Sequence, residues 1–397
     1  MCKKLAILAM AILWLLETDI HPAGTQDART TKSAESSDQV SSSARSEPKR
    51  TLNTKQSNTT AARVRRTRSR RRRPYSSWRI SSFGEPTAED NPAGEDPLIR
   101  QAAVEALGNW NGSIVVVDPN NGRILSIVNQ KLALSSAFTP CSTFKPVVAL
   151  AALKEGIITP ATKLCVESRQ RINLTEALAK SSNVFFLKLG EMLGFRRLAR
   201  YAHEFGLGQK AGANIPGESP GRFPSTPPKQ GGVGYLAYYG QDIEVTTLQM
   251  AALTSAIANG GIFYELQYPR TPEELARFTP KVRRRLDDLA QYLPQIKDGL
   301  AAAVIYGTAR QAYDPQVQIY GKTGTCSENG ARLGWFVSYA EHQRPKYVVV
   351  VFLRGGRMMY GPHAAEIGGR LYRDLLQREN SAAQASQIGF PVLRTQP

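Results

Sequence analysis

Hydrophobic positions divide this chain into two regimes. Up to about residue 96, after one short apolar run at the start, they are sparse and without period; from Pro97 onward they recur with helical and strand spacing. "PLIRQAAVEALGNW" has the spacing of an amphipathic helix, and "GSIVVVDPNNGRILSIVNQ" reads as two apolar strands around the turn "DPNNG". The pattern predicts a helix from Ser142 to about Lys154, stopped at Gly156, with Pro146 tolerated in its first turn. Further helices are predicted over Leu174 to Lys180, Val184 to Leu193, Arg196 to Phe205, Pro280 to Tyr292 and Ile296 to Ile305. In "VTTLQMAALTSAIANGG", Thr246 and Gln249 form a capping box, and Asn259 and Gly260 end the helix. Three strands follow late, "VQIYGKTGTC", "LGWFVSYA" and "KYVVVVFL", the last two joined by a turn at "EHQRP". A helix from Ala364 to Arg378 closes the domain. Hairpin, helices, strands, helix is the order of an α+β domain, an antiparallel sheet with helices on its faces.

Charge sharpens the first regime. Of the 397 residues, the first 80 hold 17 Lys and Arg against 6 Asp and Glu, so most of the net charge of +18 lies there. Residues 1–24, "MCKKLAILAMAILWLLETDIHPAG", have the basic start and short apolar run of a signal peptide or short anchor. The run rises only about 18 Å as helix, against a hydrocarbon core of about 30 Å, which favours export over a spanning segment. Residues 25–96 read as a disordered Ser/Arg-rich tether that buries too little to offset its conformational entropy. Eight arginines fall between Arg63 and Arg73. In an exported chain such a block either meets anionic envelope surfaces or is a solvated tail with no specific target, and no nucleic-acid partner is expected. The domain proper is placed at 97–380, with a flexible tail over 381–397.

The candidate chemistry excludes some classes at once. His21, His203, His342 and His363 are scattered without metal-ligand spacing, so neither metal nor other cofactor is expected. "GESPG" at Gly217 to Gly221 is not G-x-S-x-G, which disfavours a Ser-His-Asp hydrolase. In "TPCSTFKPVVALAAL", Ser142 and Lys145 share one helix face. Alone, that spacing fits equally a serine that starts a helix and a solvated lysine. "AKSSNVFFLKLG" adds S-x-N at Ser181 and Asn183, and "YGKTGTC" adds K-T-G at Lys322, Thr323 and Gly324. The ordered set S-x-x-K, S-x-N, K-T-G is the signature of active-site serine penicillin-recognising enzymes.

On these motifs, and on "IPGESPGRFP", "TLQMAALTSAIANGG", "YGTA" and "GWFVSYA", residues from about 102 to 376 resemble the transpeptidase domain of penicillin-binding proteins. The resemblance implies a beta-lactamase/transpeptidase-like fold, with an all-helical subdomain beside the sheet. It implies a serine D,D-transpeptidase that acylates on Ser142 with D-Ala-D-Ala stem peptides of peptidoglycan, cross-links them, and is inhibited by beta-lactams. In that scheme Lys145 is the base, Ser181 relays a proton, Asn183 binds the substrate backbone, and Lys322 with Thr323, Gly324 and Thr325 receives the terminal carboxylate. The backbone N–H groups of Ser142 and Thr325 form the oxyanion hole. The stretch before Pro97 is too short and polar for a glycosyltransferase domain, so the expectation is a pared-down, monofunctional, exported form, periplasmic or on the outer face of the bacterial cytoplasmic membrane.

The family usually has Gly before the nucleophile and Ala after K-T-G-T; here stand Cys141 and Cys326. The resemblance places them face to face across the cleft floor, implying a disulfide and leaving Cys165 buried and free. Rival readings are a D,D-carboxypeptidase, a serine beta-lactamase with Glu218 as candidate base, or a non-catalytic envelope-binding or beta-lactam sensor protein. Intact Ser142, Lys145 and Lys322 argue against the last.

Overall fold

The computed structural model describes residues 78–387 apart from 169, 214 and 342–344. The leader, the arginine block and most of the tether lie outside the described residues. Those described belong to one compact unit, Ser76–Pro397.

In chain order the elements are α1 (Pro97–Leu107), β1 (Gly112–Val117), β2 (Ile124–Val128), α2 (Gln130–Ser135) and a 3₁₀ turn (Cys141–Phe144) that runs into α3 (Lys145–Lys154). Next come β3 (Leu164–Cys165), β4 (Arg171–Ile172), α4 (Leu174–Ala179), α5 (Asn183–Glu204), α6 (Gly232–Tyr239) and α7 (Thr247–Ala258). The chain continues with β5 (Ile262–Glu265), α8 (Pro272–Ala276), β6 (Lys281–Arg285) and α9 (Leu293–Ile305). It finishes with β7 (Gln318–Glu328), β8 (Ala331–Glu341), β9 (Pro345–Gly355) and α10 (Gly361–Gln387).

Five strands form an antiparallel sheet in the order β2-β1-β9-β8-β7, which leaves β7 at an edge. Both faces are covered, which is why its strands read as unbroken apolar runs rather than alternating ones. Val348, Val350 and Phe352 point into the core shared with α3 and α7, whereas Val349, Val351 and Leu353 face α1 and α10. The fold is α+β, as the hydrophobic pattern implies.

Several boundaries differ from the sequence reading. Residues 280–292 are not a helix: Lys281–Arg285 pairs with β5 as β6, and only Ala290–Tyr292 coils, as a 3₁₀ turn. The hairpin lets Arg284 donate to the carbonyls of His203 and Glu204 at the end of α5, a tertiary demand that overrides helical propensity. Gly194, with φ 73°, interrupts α5 between the two stretches expected as separate helices. The closing helix continues beyond residue 380, to Gln387.

The folded part begins before Pro97. Arg79 N donates to Gly330 O at 2.8 Å and Asn111 N to Ser82 O at 2.9 Å. The Asp90 carboxylate accepts from Asn129 N (2.9 Å), Gln130 N (2.7 Å) and Arg100 (2.7 Å). Buried Glu95 accepts from Ser126, Ile127 N and Tyr268. These anchors are polar, so apolar periodicity cannot reveal them. Asp90→Ala leaves Arg100 Nη2 and two amides without their acceptor, while Arg100 Nη1 keeps Ile127 O and Glu95; urea unfolding should show a loss of about 3 kcal/mol.

Candidate active site

The three motifs arrive from three elements. Ser142 lies in the 3₁₀ turn rather than in the helix itself, which starts at Lys145. At three residues per turn, Ser142 and Lys145 still share a face. Two features shape this turn. Cys141, directly before Ser142, has φ 52°, a left-handed conformation that costs a non-glycine residue about 1 kcal/mol or more. Gly324 of β7 lies against it: a Cβ there would stand 3.0 Å from Pro140 O and 3.0 Å from Thr143 Cγ2. The glycine of K-T-G therefore eases the close approach of the edge strand to the Ser142 turn.

Ser181 occupies the tight link between α4 and α5, also left-handed at φ 53°. Ser182 caps α5, accepting from Phe185 N, and Asn183 begins that helix. This link puts Ser181 between two buried lysines. Its Oγ is 3.2 Å from Lys145 Nζ and 2.8 Å from Lys322 Nζ. Lys145 Nζ also donates to Ser181 O at 2.8 Å and Asn183 Oδ1 at 2.7 Å, so its bonds run to the S-x-N link rather than to Ser142. Lys322 Nζ donates to its neighbour's carbonyl, Thr323 O, at 2.9 Å.

Two ammonium groups out of water in one cluster disfavour each other's charge. Burial, then the positive charge of Lys322, hold Lys145 well below the ordinary lysine range. Burial alone pushes Lys322 down to about 7. The Phe186 ring, 5.3 Å from Lys145 Nζ, and the acceptors Ser181 O and Asn183 Oδ1 favour the charged form. The arrangement supplies an amine able to accept a proton at neutral pH, with a hydroxyl linking it to a second amine.

Opposite, Thr323 Oγ1 and Thr308 Oγ1 are 2.6 Å apart, and Thr325 Oγ1 accepts from Gly361 N at 2.8 Å. Cys141 and Cys326 are joined by a disulfide, with their Cα atoms 5.7 Å apart. Trp335 Nε1 donates to Thr139 O at 3.0 Å, and Glu328 accepts from Thr139 N at 3.1 Å. Thr308, Trp335, Glu328 and Gly361 are supports to which the motifs gave no role. "YGTA" and "GWFVSYA" drew notice as phrases, but the bonds they make depend on which segments meet.

Two readings change here. Cys165 is not free and is only half-buried; it is disulfide-bonded, and no cysteine among the described residues is free. Glu218 is committed to the backbone, its carboxylate accepting from Ala211 N at 2.6 Å and from Gly212 N at 3.1 Å. Burial raises its pKa, and none of its hydrogen bonds reaches the serine and lysine cluster.

A sheet whose edge strand touches a Ser-x-x-Lys turn, with a helical unit delivering Ser-x-Asn, defines the penicillin-recognising serine proteins. The transpeptidase domain of Burkholderia pseudomallei penicillin-binding protein 3 has this fold, with a TM-score of 0.61, 23% identity, and coverage of 73% of this chain and 97% of that one. Penicillin-binding protein A from Mycobacterium tuberculosis, solved as an imipenem acyl-enzyme, gives 0.60 at 25% identity, covering 71% and 79%. The family model described as "Penicillin binding protein transpeptidase domain" matches residues 112–376, and the chain belongs to that family. Among curated relatives, stage V sporulation protein D of Bacillus subtilis is 28% identical over 340 residues, 72% of this chain and 52% of that protein. The peptidoglycan D,D-transpeptidase PbpA of M. tuberculosis is 26% identical over 359 residues, covering 72% of each. The chain spans about half the length of the first relatives it matches.

Proposed function

We propose that the chain is a D,D-transpeptidase that cross-links peptidoglycan stem peptides through an acyl-enzyme on Ser142. The single observation that carries this reading is Ser181 Oγ held between two buried lysines, both with lowered pKa. Neutral Lys145 takes the Ser142 proton as the hydroxyl attacks the carbonyl of the penultimate D-Ala. The oxyanion is met by the Ser142 and Thr325 amides. Ser181 passes the proton to the leaving nitrogen, and D-Ala departs. Lys322, with Thr323 and Thr325, holds the terminal carboxylate. Asn183 has its Oδ1 engaged by Lys145, which leaves Nδ2 to donate to a substrate carbonyl. The free edge of β7 offers an extended peptide a strand to pair with. An acceptor amine then takes the acyl group. The apolar leader directs the chain out of the cytoplasm to that substrate; among the described residues no helix is long and apolar enough to cross a membrane.

The test is intact mass spectrometry of the full chain with benzylpenicillin, followed by a D-Ala-D-Ala peptide donor with and without an amine acceptor. A lasting penicillin adduct and a cross-linked dimer are expected. Release of donor acid alone would make the protein a carboxypeptidase, rapid drug turnover a beta-lactamase, and no reaction at all would refute an acylating site.

A further inference from the structure

The disulfide stands in an unusual relation to the two oxyanion donors. Cys141 directly precedes Ser142, and Cys326 directly follows Thr325. The covalent link thus joins the chain neighbours of both N–H groups, on segments so close that a Cβ at position 324 would stand 3.0 Å from Pro140 O. Both cysteines are buried, at 1% and 7% exposure. Cys141 also holds a left-handed φ of 52°, which glycine adopts freely and cysteine does not. The residues ahead of it are fixed by hydrogen bonds. Thr139 is held on both sides by Trp335 and Glu328, and Pro140 O accepts from Thr143 Oγ1 at 2.6 Å. At Cys141 itself, the side-chain tie is the disulfide.

We infer that the Cys141–Cys326 disulfide is a positioning device for the oxyanion hole, holding a non-glycine residue in a left-handed conformation that aims the Ser142 N–H. This rests on the acyl-enzyme reading of the site. Without the bond, residue 141 relaxes toward negative φ and turns the following amide, slowing acylation while leaving the nucleophile and its lysines in place. A residue at 141 that tolerates positive φ needs no tie.

The experiment is a series in the full chain, with Cys326→Ala combined in turn with Cys141→Gly, Cys141→Asn and Cys141→Ala. Benzylpenicillin acylation is followed by intact mass, giving both the rate constant and the final fraction acylated. The rates should rank Gly, then Asn, then Ala. The alanine variant should be slower than the parent by roughly tenfold or more, yet reach full occupancy, because a displaced donor costs less than the 10²–10³ of a removed one. The glycine variant should recover most of the parent rate. Any two folding members suffice to establish the order. Equal rates across the series, or loss of acylated fraction at an unchanged rate, would make the bond merely stabilising and overturn the inference. A parent chain that forms no adduct would instead remove the acyl-enzyme reading, and this inference with it.

Discussion

With Lys145 replaced by methionine, acylation of Ser142 by benzylpenicillin should fall by about 10³-fold, within the range for losing a general base. Ser142→Ala should give no adduct at all. The argument is electrostatic. An ordinary lysine would be almost wholly protonated at neutral pH and useless as a base; here burial and the neighbouring Lys322 charge favour the neutral amine. Methionine keeps the length and fills the buried space, but it accepts no proton. It also leaves Ser181 O and Asn183 Oδ1 without the Lys145 donor, while Ser181 Oγ keeps Lys322 Nζ. Methionine needs no hydrogen-bond partner in this buried site, which offsets part of that loss, so the melting temperature should move by only a few degrees. Stopped-flow or mass-detected acylation beside a thermal melt separates the two effects. A Lys145→Met protein that acylates within tenfold of the parent would show that the proton leaves by another route.

Lys322→Met should be nearly inactive and more stable. Its charged form is buried, which lowers its pKa to about 7, whereas in the unfolded chain lysine titrates near 10.4. Between those values the unfolded state binds the extra proton, so stability rises with pH across that window and is lowest below about 7. Keeping the ammonium buried at pH 6 costs roughly 4 kcal/mol, against about 1 kcal/mol each for its bonds to Ser181 Oγ and Thr323 O. The variant should therefore melt about 5 °C higher at pH 6, at a few degrees per kcal/mol, with the gain gone by about pH 10. Acylation should drop by about 10²-fold or more as the carboxylate loses its cationic partner. The same pKa values shape the parent's pH profile. Activity rises as Lys145 loses its proton and falls as Lys322 loses its own, near 7 in the free protein and higher once a carboxylate is bound. A variant less stable at pH 6 than the parent would show that its hydrogen bonds outweigh the burial of its charge.

Such trade-offs explain where the sequence was informative. The sheet and most helices were legible because apolar runs and capping residues act locally: Thr246 and Gln249 cap α7 reciprocally, as their spacing implies. The segment from 280 to 292 was not, since "KVRRR" carries no pattern that distinguishes a solvated helix face from a strand borrowed by β5. The anchoring of residues 78–96 was hidden for a related reason. Asp90 and Glu95 bind partners up to 173 residues away, and polar residues announce no such distance.

For the site, the inventory is legible along the chain: a serine and lysine three apart, a Ser-x-Asn link, Lys-Thr-Gly on a strand, and cysteines beside two of them. Spacing along the chain sets which side chains share a local face, and that much is covalent geometry. Folding alone brings Ser181 between two lysines 177 residues apart in number and sets β7 against the Ser142 turn at Gly324. Desolvation belongs to this second class: the pKa of a lysine depends on what surrounds it, and no motif records its surroundings.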